Sequence, residues 1–196
     1  MLKMLAAVIV VVLVAGLLIY ATTKPDAMRV QRTASIKAPP ERIFALINDF
    51  NNWRAWSPYD AKDPAMQREI TGAASGKGAV YAWEGNNQVG KGRMEILEST
   101  GPSKIIIRLD FFRPMENTGT ATFTLTPQGD GTEVTWTMDS PAPYISKVMG
   151  IVFNLDKMIG GDFEKGLAQL KTVAESAPPA AASDPAAVTP AGMGGK

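Results

Sequence analysis

Residues Met4 to Ala21 read MLAAVIVVVLVAGLLIYA, a run of 18 positions without a single charge at the extreme N-terminus. At roughly 1.5 Å of rise per residue such a helix reaches about 27 Å, close to the roughly 30 Å of a bilayer's hydrocarbon core. Lys3 and Lys24 then fall at the two interfaces. A cleaved signal peptide would also carry a basic start and an apolar middle, but cleavage after Ala21 would put Ile19 where a small residue is wanted. The apolar run also exceeds the usual h-region of about 7 to 15 residues. The expectation is therefore an uncleaved single-pass anchor over 4–21, in the inner membrane for a bacterial chain. Lys24, Arg29 and Arg32 on the C-terminal side outnumber Lys3 and the α-amino group. The positive-inside rule thus leans slightly towards a cytoplasmic domain, though with so short a tail the side is left open.

Behind a short linker, 22–27, residues 28–176 are enough for one domain with a sizeable core. All basic residues except Lys3 and Lys196, and all acidic residues except Asp184, lie between Lys24 and Ser176, and the two signs balance. No basic stripe stands out, so nucleic acid is not an expected partner. The chain has no cysteine and no histidine. That removes disulfides, thiolate and Ser-His-Asp catalysis, and the usual ligands of zinc. Neither metal nor cofactor is expected. The tail 177–196, APPAAASDPAAVTPAGMGGK, holds too little apolar volume to bury a core and reads as disordered.

Met28–Lys37 alternates as a strand, with Met28, Val30, Arg32, Ala34 and Ile36 on one face. Pro39, Pro40 and Glu41 suit the first turn of a short amphipathic helix carrying Ile43, Phe44 and Ile47. A second helical turn is expected over Asn48–Tyr59, ending by Ser57-Pro58. Strand-like runs follow at 67–70, 78–84, 89–99, 103–112, 118–127 and 132–139, the last two joined by the turn Gln128-Gly129-Asp130-Gly131. Consecutive hairpins make an antiparallel meander, hence an α+β fold. A long amphipathic helix is predicted over 144–174, with Gly160-Gly161 marking a kink, a break or a close approach to the sheet.

With that order of elements, the chain resembles the START-like helix-grip superfamily, specifically its polyketide cyclase/dehydrase and lipid transport (SRPBCC) family. The matching residues are Ser35-Ile36-Lys37-Ala38-Pro39-Pro40-Glu41 with Ile43-Phe44, Asp49-Phe50, Trp53-Arg54-Ala55-Trp56-Ser57-Pro58-Tyr59 and Asp63-Pro64-Ala65-Met66. Gly78-Ala79-Val80-Tyr81-Ala82-Trp83 and the terminal Asp162-Phe163-Glu164-Lys165-Gly166-Leu167-Ala168-Gln169-Leu170-Lys171 complete them. The resemblance spans about Met28 to Ala174. It implies a curved antiparallel sheet around the long C-terminal helix with a cavity between them, and it does not imply a reaction.

In such a fold Met94, Phe123, Trp136 and Met138 on the strands, with Met149, Phe153 and Met158 on the helix, are candidates for the cavity wall, as is Trp83. Unbranched methionines adapt to varied apolar ligands, but any of these residues could equally pack as plain core. Trp53, Trp56 and Tyr59 could edge a mouth or cap the core from one helical face. Arg108 is the candidate polar cavity residue and Glu84 or Asp110 a candidate base, against the plainer reading of a solvated strand face. Gly85–Gly92 has the glycines and lysine of a phosphate loop, yet strands flank it on both sides, so it reads as a hairpin turn.

The leading expectation is membrane-tethered, non-catalytic binding of a small hydrophobic or lipid-like ligand. Two others stand beside it: a cyclase- or dehydratase-type enzyme, and a protein-binding module like the chaperone co-regulators of the superfamily.

Overall fold

The computed structural model describes residues 2–176; the predicted disordered tail at 177–196 lies outside the described residues. Helix α1 (Leu2–Thr22) precedes strand β1 (Ala27–Ile36), helix α2 (Pro40–Asn48), a 3-10 turn (Phe50–Ala55) and the short helix α3 (Pro58–Lys62). Six strands follow: β2 (Gln67–Gly72), β3 (Ala79–Glu84), β4 (Lys91–Thr100), β5 (Lys104–Arg113), β6 (Asn117–Gln128) and β7 (Gly131–Pro141). Helices α4 (Tyr144–Val152) and α5 (Leu155–Ser176) close the domain. All seven strands form one antiparallel sheet in the order β1-β7-β6-β5-β4-β3-β2. This is the helix-grip arrangement, with α5 laid across the inner face.

Alternation assigns the two faces. Val30, Ile36, Ile96, Ile105, Ile107, Phe123, Leu125 and Val134 point inward and are buried against Phe163, Leu167, Leu170 and Ala174 of α5. Each fully buried side chain of this size contributes about 1.5–3 kcal/mol of burial. On the outer face, threonines line up across strands, Thr122 opposite Thr137 and Thr124 opposite Thr135. The β6–β7 hairpin turns through Gly129-Asp130, with Gly129 at φ +57°. The β3–β4 connection is likewise a turn, closed by Gly85 N–H donating to the Gly90 carbonyl at 2.9 Å. At the far edge β2 is short, exposed and carries Arg68 and Glu69.

The region around Asn48–Tyr59 holds one helical element more than expected. Asp49 caps the 3-10 turn through the Asn51 N–H, and Ser57 accepts from the Tyr59 N–H to start α3 at Pro58. Trp53 and Trp56 donate their indole N–H groups to the Ile47 and Leu46 carbonyls at 2.8 and 3.0 Å. These are carbonyls of α2's last turn, which lack partners within the helix.

The single helix expected over 144–174 is two helices. Phe153 is extended, and the Asn154 side chain accepts from the Lys157 N–H at 2.9 Å, capping α5 afresh. Gly160 and Gly161 stay inside α5 without a break. A Cβ on Gly160 would collide with the Arg32 guanidinium, so this glycine marks the close approach of helix to sheet. Arg32 rises from the apolar face of β1 and grips the start of α5, bonding Glu164 at 2.7 Å and both Asp156 carboxylate oxygens at 3.2 and 3.0 Å.

At the other end of the chain, Lys3–Thr22 is long and apolar enough to cross a membrane and is almost wholly exposed. Its C-terminal part packs on α4, where the Tyr144 hydroxyl donates to the Leu18 carbonyl at 2.9 Å.

Candidate functional site

Between the sheet and α5 lies an internal space of about 90 Å³, several times what one water needs. On the central strands one small residue, Ala121, faces inward among large ones. Ala121 on β6 leaves the floor low, and Gly92 on β4 has no room for a Cβ because the Trp83 indole and the Asp110 carbonyl lie against it. A Cβ on Gly119 would stand 3.1 Å from the Asp139 carbonyl oxygen and 3.7 Å from the Met138 methyl. Larger neighbours stand around this hollow: Tyr81 and Trp83 from β3, Met94 from β4, Ile107, Leu109 and Phe111 from β5, Trp136 and Met138 from β7. Phe163 of α5 covers it, and Trp53, Ser57, Tyr59 and Met66 close the side.

Trp136 holds a central place. Its indole stacks on Phe163 and tilts against Phe123 at 4.9 Å. Gly166 lets α5 come this close, since a Cβ there would stand 2.9 Å from the Trp136 ring and 3.0 Å from Pro58. The Trp136 Nε1–H is buried with no hydrogen-bond partner among the described residues. By contrast Trp83 Nε1–H donates to the Val89 carbonyl at 3.0 Å.

Charge stays at the rim. Arg68 pairs with Asp60 and donates to the Met66 carbonyl at 2.8 Å, while Lys62 pairs with the largely buried Asp162. Beside these pairs stand two phenols. Burial, with Asp60 nearby, pushes the Tyr81 hydroxyl up to about 12 against the pull of Arg68. Burial and the Asp162 charge likewise push Tyr59 well above the ordinary tyrosine range. Both are neutral donors near pH 7, and neither can act as a base there.

Of the candidates named from the sequence, the structure brings Trp83, Met94, Trp136 and Met138 together around the hollow. Trp56 and Phe123 are fully buried behind it, each edge-on to the other at 6.1 Å, as core. Trp53 and Tyr59 are wall residues, not an exposed gate.

Arg108 lies elsewhere, because Ile107 and Leu109 take the inner face and leave it outward. There it holds Asp110 through two contacts of 3.0 Å. Glu84 is exposed at the end of β3, paired with Lys91 at 2.8 Å and Arg113 at 2.9 Å. Met149 and Phe153 are exposed on and just beyond α4, and Met158 on the outer side of α5, since the break at Asn154 carries α4 away from the sheet.

Tyr81, Met66, Ala121 and Phe163 were not anticipated as wall residues. Tyr81 and Phe163 sit inside quoted motifs, and the alternation of β3 already put Tyr81 on the same face as Trp83.

Residues 27–175 match the family model described as polyketide cyclase/dehydrase and lipid transport. No curated protein matches the sequence. Many solved structures share the fold. One is protein CV1439 from Chromobacterium violaceum, at 18% identity and a TM-score of 0.54, covering 78% of this chain and 99% of that one. Another is the Aha1 dimer from Colwellia psychrerythraea, at 15% identity and a TM-score of 0.55, covering 76% and 97%. A third is the di-domain ARO/CYC StfQ of the steffimycin biosynthetic pathway, at 12% identity and a TM-score of 0.57, covering 76% of this chain but 51% of that one.

Proposed function

The chain belongs to the polyketide cyclase/dehydrase and lipid transport family, and from that premise we propose that it binds a small hydrophobic or lipid-like molecule in its cavity without transforming it, held at a membrane by α1. The observation that carries this reading is the chemistry of the wall, which is almost entirely carbon, with the Trp136 Nε1–H as a buried donor lacking a partner. An apolar body with an acceptor atom suits such a space: burial supplies affinity, and an unpartnered buried donor supplies orientation. The charged groups nearby are already paired with one another at the rim.

The cyclase or dehydratase reading draws on the likeness to StfQ and on the Tyr81 hydroxyl beside Arg68. It is the weaker of the two, because a phenol held neutral supplies an acid but no base at neutral pH.

Native mass spectrometry of the full chain released from detergent tests the proposal. An apolar adduct of defined mass is expected on the wild-type chain and absent from Ala121→Phe, which fills the hollow from its floor. An empty wild-type chain, or an adduct that Ala121→Phe retains, would overturn it.

A further inference from the structure

Helix α4 contributes none of its described side chains to the core. Ile145 and Met149, one turn apart, are instead 53% and 39% exposed, and Phe153 at the helix end is 52% exposed, so an apolar stripe faces outward. A stripe of this kind on a helix a few turns long needs a cover, and its place on the molecule says which.

The Tyr144 hydroxyl is bonded to the Leu18 carbonyl, and Lys147 is paired with Asp26, directly after α1. Leu18 stands four residues before the end of α1, about 6 Å back along its axis. Lys24 folds back onto Tyr20, 2.8 Å from its hydroxyl, in the manner of a cation and an aromatic at a lipid–water boundary. The first turn of α4 is thus pinned at the level where α1 leaves the hydrocarbon.

We propose that α4 is an interfacial helix, laying Ile145, Met149 and Phe153 into the headgroup–acyl boundary of the leaflet from which α1 emerges. The inference rests on the reading that α1 spans a bilayer and deepens it by giving the domain a fixed seat. Strand register adds a consequence. Ala27 pairs with Pro141 and Phe111 with Asn117, so the cavity residues Phe111 and Met138 lie towards the strand ends that meet α1 and α4. The hollow therefore occupies the bilayer-side half of the sheet.

The absence of cysteine allows single reporters to be placed at will. Full-length Ile145→Cys, Phe153→Cys, Val11→Cys and Thr124→Cys, each labelled with an NBD fluorophore, are reconstituted in phosphatidylcholine vesicles with or without nitroxide-labelled lipid. Blue-shifted emission and severalfold stronger lipid quenching at positions 145 and 153 than at 124, on the outer sheet face, is the expected result. Quenching at 11 with positions 145 and 153 as wet as 124 would overturn the interfacial helix and leave the spanning helix intact. Lack of quenching at 11 would overturn the tether itself. Shielding at 145 and 153 that grows with protein-to-lipid ratio and resists lipid quenching would assign the stripe to a second copy of the chain, and would equally overturn the proposal.

Discussion

The ring of Phe163 lies flat on the indole of Trp136, 4.0 Å between centroids and 6° between planes, and this contact joins α5 to the middle of the sheet. Both rings also face the hollow, so the same pair that closes the fold shapes the space inside it. Truncation as Phe163→Ala should cost about 3–5 kcal/mol in chemical denaturation of the detergent-solubilised chain.

Two glycines five residues apart in α5 should respond in opposite directions to the same substitution. Gly161 has nothing within 4 Å of an added Cβ, so Gly161→Ala should stabilise by about 0.5–1 kcal/mol through the lost flexibility of the unfolded chain. Gly166 meets Trp136 and Pro58, so Gly166→Ala should cost about 1–3 kcal/mol. Paired denaturation curves read the contrast directly.

Alkali should act through Tyr81. Its phenol ionises near 10 when unfolded and near 12 when folded, because burial disfavours the phenolate. The stabilisation is whole below pH 10 and is lost as pH rises towards 12, where the unfolded chain has already released its proton. Stability measured across that window should fall less steeply for Tyr81→Phe than for wild type.

Acid should act at the other side of the domain. Hydrogen bonds and charge from Arg32 hold the Asp156 carboxyl below its ordinary value of 3.8. Its contribution is complete above that value and disappears as pH falls through the lowered folded value. Denaturation profiles below pH 4 should therefore be flatter for Asp156→Asn than for wild type.

Much of the sheet is legible in the sequence, because strand alternation is a local signal. Ile105, Ile107, Leu109 and Phe111 declare one face of β5, and that face is the inner one. The break at Asn154 is not legible in the same way. Apolar spacing continues through Val148, Val152, Leu155 and Ile159 as if one helix ran on, and only a side-chain cap interrupts it. Met149 and Phe153 therefore read as facing the sheet, when with an extended backbone at Phe153 both are exposed. The hollow itself is written in what is missing, the short side chain of Ala121 on its floor, and absent volume carries no periodicity to detect.

The short edge strand β2 bears on behaviour in a crowd. Wherever copies of a chain are crowded together, their sheet edges are brought into repeated collision. An open edge offers unpaired amides and carbonyls to a neighbour, the first step of strand-to-strand aggregation. With six residues, no buried side chain, and Arg68 and Glu69 side by side, β2 makes a poor template for such pairing. A border of this kind, next to the wall strand β3 and holding the Arg68–Asp60 pair at the rim of the hollow, keeps the sheet closed to strand pairing between copies of the chain.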